Sequence, residues 1–129
     1  MARPGSSYPT ELELEILKVL WQQGPRKVEE VREALAESGR ELTHSSVITV
    51  MNIMVKKKYL KRKKHGRAFQ FEARVADKQI NRGMLGDLMD RVFDGSATAL
   101  MLELLETTDL DADEIKEIRA MINRKAREQ

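Results

Sequence analysis

Residues 42–72, LTHSSVITVMNIMVKKKYLKRKKHGRAFQFE, change their hydrophobic period half-way along. Val47, Val50, Met51 and Met54 recur at i, i+3, i+4 and i+7, the spacing of one helix face, and Thr43 stands ahead of them as an N-cap. From Tyr59 the helical period is gone. Tyr59 to Lys63 lead into a turn through Lys64, His65, Gly66 and Arg67, after which Phe69, Gln70, Phe71 and Glu72 alternate apolar with polar. The pattern predicts a β-hairpin, with Gly66 supplying the positive φ that its tip needs.

Upstream, Thr10 and Glu13 form a capping box for a first helix with Leu12, Ile16, Val19 and Leu20 on its apolar side, ended by Gly24-Pro25. The Gly-, Ser- and Pro-rich start is expected to be disordered through Pro9. A second helix carries Val28, Val31 and Leu35 and stops at Ser38-Gly39. Three short helices followed by a basic hairpin are the order of a winged helix-turn-helix.

Downstream, three further helices are expected: one with Ile80, Met84, Leu88 and Val92 ending at Gly95, one with Leu100, Met101, Leu104 and Leu105, and one starting at Asp111. In the last, Glu114 completes a capping-box pair, Leu110 is placed to staple onto Ile115, and Ile118 and Ile122 continue the stripe. The expected architecture is mainly α: a winged-helix DNA-binding domain over 1–75 with a small hairpin wing, and a helical dimerisation domain over 76–129. Short amphipathic helices in so small a segment cannot bury their stripes alone. Ile80, Met84, Leu88, Leu100, Met101, Leu104, Leu105, Ile115, Ile118 and Ile122 are therefore expected between two copies of the chain.

The charge supports this division. Residues 1–75 hold 15 basic against 9 acidic side chains, a balance of +6, while 76–129 hold 8 against 12, a balance of −4. Only the first part suits a polyanion. Its segment 56–67 has eight basic side chains and no acidic one, which fits either a solvated surface or a phosphate-binding one. Opposite the apolar stripe of the third helix stand His44, Ser45, Thr49, Asn52 and Lys56, with Ser46 alongside. Short hydroxyl and amide side chains can reach phosphates and base edges in a major groove. Equally, serines are favoured in the first turn of any helix. The basic hairpin that follows favours DNA, with Lys57, Lys64 and Arg67 added as candidate contacts. The competing reading is a winged helix that binds protein or RNA without reading DNA sequence.

Other classes find little support. No glycine-rich phosphate loop or nucleophile elbow is present, and Glu29-Glu30 and Asp113-Glu114 lie at helix starts, where the macrodipole favours acids. An enzyme is not expected, nor a cofactor. With no cysteine and two histidines, His44 and His65, no metal site is expected, and the seven methionines read as core filler. No apolar run approaches the ~20 residues of a membrane span and the N-terminus lacks a signal-peptide core, so a cytoplasmic location is expected.

LTHSSVITVMNIMVKKKYL followed by KRKKHGRAFQFEARV resembles the recognition helix and wing of the penicillinase-repressor family of BlaI/MecI type. TELELEILKVLWQQGPRKVEEVREAL is similar to that family's first two helices, and FDGSATALMLELLETTDLDADEIKEIRAMIN to its dimerisation segment. The resemblance implies a homodimeric repressor on dyad-symmetric operators with TACA/TGTA-like half-sites, with a link to antibiotic resistance. Its hydroxyl pattern matches at Ser45, Ser46 and Thr49, whereas Ile53 stands where many members carry a basic residue. Copper-responsive members end in a cysteine-rich motif, which this chain lacks. Members answering to β-lactams are cut by a membrane sensor protease at an Asn-Phe bond, and alignment of SATALMLELLE puts Glu103-Leu104 at that position.

Overall fold

The structure, a computed structural model, describes residues 8–129. Its elements run α1 (Glu11–Gln23), β1 (Arg26–Lys27), α2 (Val28–Glu37), α3 (His44–Lys56), β2 (Leu60–His65), β3 (Ala68–Ala73), α4 (Asp77–Val92), α5 (Ala97–Thr107) and α6 (Ala112–Arg127). Two compact units result, one ending at Leu85 and one running from Gly86 to Gln129.

In the first unit the helix ends lie where the capping chemistry puts them. Thr10 Oγ1 accepts the Glu13 N–H at 3.2 Å while Glu13 Oε1 accepts the Thr10 N–H at 2.9 Å, and α1 stops at Gly24 with φ +81°. Thr43 caps α3 by accepting the Ser46 N–H at 3.1 Å. β2 and β3 pair antiparallel from Leu60↔Ala73 to His65↔Ala68, and β1 adds to the other side of β3 through Arg26↔Phe71 and Lys27↔Gln70. A two-residue strand is too short to show a period, so β1 is visible only as the partner of β3.

The wing's loop is tighter than the four residues expected. Lys64 and His65 are paired strand residues, and only Gly66 and Arg67 make the turn. Gly66 has φ +67°, with open space where a Cβ would stand. Gly66→Ala should thus cost only backbone strain, about 1 kcal/mol. Thermal melting should show a small drop, and an unchanged or higher melting temperature would mean the turn relaxes without that φ.

The core of this unit takes Ile16, Leu17 and Leu20 from α1, Val28, Val31 and Leu35 from α2, Val47, Met51 and Met54 from α3, and Leu60 and Phe71 from the hairpin. Val50, expected inward, is half-buried, and Leu17 joins the core although it lies beside the expected stripe. Trp21 Nε1 donates to the Val75 carbonyl at 2.8 Å, tying α1 to the segment before α4. Of the start expected to be disordered, residues 1–7 lie outside the described residues. Pro9 is buried, and Tyr8 lies so close to Gly83 that a Cβ there would come within 2.9 Å of its ring.

The division of compactness falls ten residues beyond the 75/76 boundary expected, because the start of α4 packs onto the winged core. Ile80 is 6% exposed in that core and Met84 lies against it. Ile80, expected between copies, serves the chain's own core, and Met84 is half-buried against it.

In the second unit Asp94 and Gly95 both take positive φ between α4 and α5. Ser96 caps α5, and Asp111 with Glu114 forms the expected capping box of α6, at 2.8 and 3.1 Å. No residue of α5 or α6 is buried. No helix among the described residues is long and apolar enough to cross a membrane.

Candidate nucleic-acid interface

α3 offers one side to the core through Val47, Met51 and Met54 and another to solvent through His44, Ser45, Ser46, Thr49, Ile53 and Lys56, with Asn52 half-buried. The first turn is a hydroxyl network. Thr43 Oγ1 donates to Ser46 Oγ at 2.9 Å and lies 3.3 Å from Ser45 Oγ, so the serines do take part in capping. Thr49 Oγ1 donates back to the Ser45 carbonyl at 2.8 Å, which commits its hydroxyl proton. The N-terminal N–H groups of a helix favour anions, and short side chains leave them accessible to a phosphate.

His44 Nδ1 stands 3.3 Å from Glu29 Oε1, and Arg32 donates to the same carboxylate through Nε at 2.9 Å. The Arg32 guanidinium first, and His44 second, hold the Glu29 carboxyl down at about 2. Glu29 of α2 is thus held ionised beside the first turn of α3, with the Arg32 guanidinium balancing its charge.

The hairpin continues this surface. Among the described residues Lys63, Lys64 and Arg67 have no acidic partner, and only Lys61 in the wing forms an ion pair, with Glu72 at 3.4 Å. Strand parity places Leu60, Arg62 and Lys64 on the side of Phe69 and Phe71, and Lys61, Lys63 and His65 on the other.

Lys57 departs from the expected set. Its Nζ pairs at 2.9 Å with Glu13, whose side chain is 4% exposed. A carboxylate so deeply buried requires a counter-charge, and Lys57, the C-cap of α3, supplies it. The residue that sequence reading missed is Arg62, which bonds to Asn52 and stacks on Phe69. Its parity with Leu60 was the available signal. Glu103 and Leu104, at the position of the relatives' cleaved bond, are exposed but lie within the regular helix α5. Among the described residues no group of His, Cys, Asp and Glu could hold a metal ion.

The penicillinase repressor family matches residues 9–124. The chain belongs to that family. It is a transcriptional repressor and its relatives are regulators, not enzymes. The methicillin resistance regulatory protein MecI of Mammaliicoccus sciuri is 26% identical over 88% of this chain and 91% of its own. The penicillinase repressor of Bacillus licheniformis is 24% identical over 84% of each. Among solved structures, RosR of H. salinarum matches with a TM-score of 0.50 at 18% identity, covering 98% of this repressor and 96% of RosR. That likeness is one of fold. The winged helix read from the order of helices and hairpin is the fold this repressor has.

Proposed function

We propose that the repressor binds duplex DNA as a homodimer, each copy laying α3 in a major groove and its hairpin wing along the adjacent backbone. The observation that carries this reading is the continuity of a polar helix face, Ser45, Ser46, Thr49 and Asn52, with a hairpin whose Lys63, Lys64 and Arg67 face no acidic side chain. Hydroxyls and amides suit the base edges, and exposed cations suit phosphate. Ile53, 43% exposed, adds an apolar surface where a thymine methyl could sit. A dyad-symmetric operator follows from a two-fold dimer, because each half-site meets the same surface.

Support for the homodimer comes from α5 and α6. Met101, Leu104, Leu105, Ile118, Met121 and Ile122 line an apolar groove of about 820 Å³, and each is 36–59% exposed in the single chain. Two capped helices with no buried residue have little to hold them in water. A second copy presenting the same stripe would cover it. The copies would meet through this unit, with Leu100 and Ile115 at its margin and without Ile80 and Met84.

The test is salt dependence. Removing one cation that neutralises a phosphate should flatten the slope of log K against log salt by about 0.9. Lys64→Ala and Arg67→Ala should both show this and weaken specific and random duplexes alike. Slopes equal to the wild type for both variants would leave the wing a solvated hairpin and favour a protein-binding adaptor.

A further inference from the structure

Arg62 of β2 bridges the two elements that would meet DNA. Its Nη1 donates to Asn52 Oδ1 at 2.7 Å, and its Cζ stands 5.0 Å from the centroid of the Phe69 ring. Arginine only donates, so the Asn52 atom facing it is the carbonyl oxygen and the orientation of the amide follows from chemistry. Phe69, a large apolar side chain left 44% exposed on the wing, finds its role here as the platform that holds the guanidinium plane.

An asparagine with both ends available pairs with adenine, accepting from N6 and donating to N7. Asn52 does not have both ends equally available. One lone pair of its carbonyl carries a charge-assisted bond that fixes the amide's orientation, while both amide N–H groups are uncommitted. A pair of donors suits a base edge built of acceptors, and guanine presents N7 and O6 side by side.

We propose that Arg62 is a specificity-determining residue: by holding the Asn52 carbonyl it makes α3 read a base pair by donation, selecting guanine over adenine. This rests on the DNA-binding reading above. Arg62 acts through Asn52 as a positioning residue, and Lys is no substitute, because an ammonium lacks the planar fork that bonds the amide and stacks on the ring together.

The test uses the full chain with a pool of randomised duplex DNA. The wild type, Arg62→Ala, Arg62→Lys, Asn52→Ala and the double alanine variant each select from it, and affinities are then measured on the wild-type duplex and its single-base-pair variants. Arg62→Ala and Asn52→Ala should lose the preference for guanine at the same position, by about tenfold or more. The double variant should lose no more than either single one, and Arg62→Lys should not restore the preference although it keeps the charge. Arg62 is exposed and Asn52, though half-buried, stands outside the apolar core, so melting temperatures should stay near the wild type. If Arg62→Ala weakens all duplexes equally and leaves the preference intact, or if the wild type selects adenine where Asn52→Ala relaxes, the inference is overturned and DNA binding stands. A wild type that selects no duplex overturns both.

Discussion

In the proposed dimer, Leu105→Glu should leave the repressor monomeric and lower its affinity for a two-half-site operator by about 100-fold or more. Leu105 is 51% exposed on α5 within the apolar groove shared with α6, so a charge there is solvated in the single chain. Pressed against a second copy, the two new carboxylates would each lose water without a partner, several kcal/mol per ion. Without the dimer, the second half-site is no longer bound intramolecularly, and the affinity that comes from linking two half-sites disappears. Sedimentation and titration of a two-half-site duplex would measure both effects. Far-UV circular dichroism should report the helices of α1 to α3 intact. A variant that stays dimeric would place the interface elsewhere, and one that becomes monomeric yet binds as before would separate dimerisation from recognition.

Phe71→Ala should cost the winged unit about 3–5 kcal/mol. The ring is 1% exposed, in the central strand β3, opposite Arg26 on one side and Arg62 on the other. Its removal leaves a cavity bounded by strands on both flanks, and a paired sheet cannot close such a space easily. Against a total stability of about 5–15 kcal/mol for an ordinary domain, the loss leaves a large unfolded fraction at moderate urea. The urea midpoint should fall with the slope m unchanged, and duplex binding should fall in proportion to the folded fraction. A midpoint within experimental error of the wild type would mean that the core relaxes into the space. Phe69→Ala is the contrast: a half-exposed ring two residues away, it should leave the midpoint nearly where it was.

Asn52 lies on the face that the helical period gives it and carries a bond that the period does not show. The i, i+3, i+4 spacing put Asn52 opposite Val47, Met51 and Met54, and there it lies. A helical period, however, ranks residues only by direction from their own axis. It carries no information about a strand ten residues on, so the bond from Arg62 was invisible. Lys57 departs for the same reason, since its partner Glu13 is 44 residues away and the burial of Glu13 depends on the packing of α1 against α3.

Local chemistry was enough for the elements themselves. The capping groups Thr10, Thr43 and Asp111 each bond to a backbone N–H three residues on, and Gly66 takes the φ that a tight hairpin requires. These interactions span a few residues and are complete within the chain segment that makes them. The winged order, the basic wing and the exposed face of α3 follow from such signals alone. The tertiary structure decided what depends on distant partners: β1 as a strand, the two-residue turn set by the β2–β3 register, and Ile80 in the core with Met84 against it. It also sent Lys57 to Glu13 and Arg62 to Asn52. Burial and side-chain pairing are properties of surfaces brought together by folding, and a residue's neighbours along the chain do not contain them.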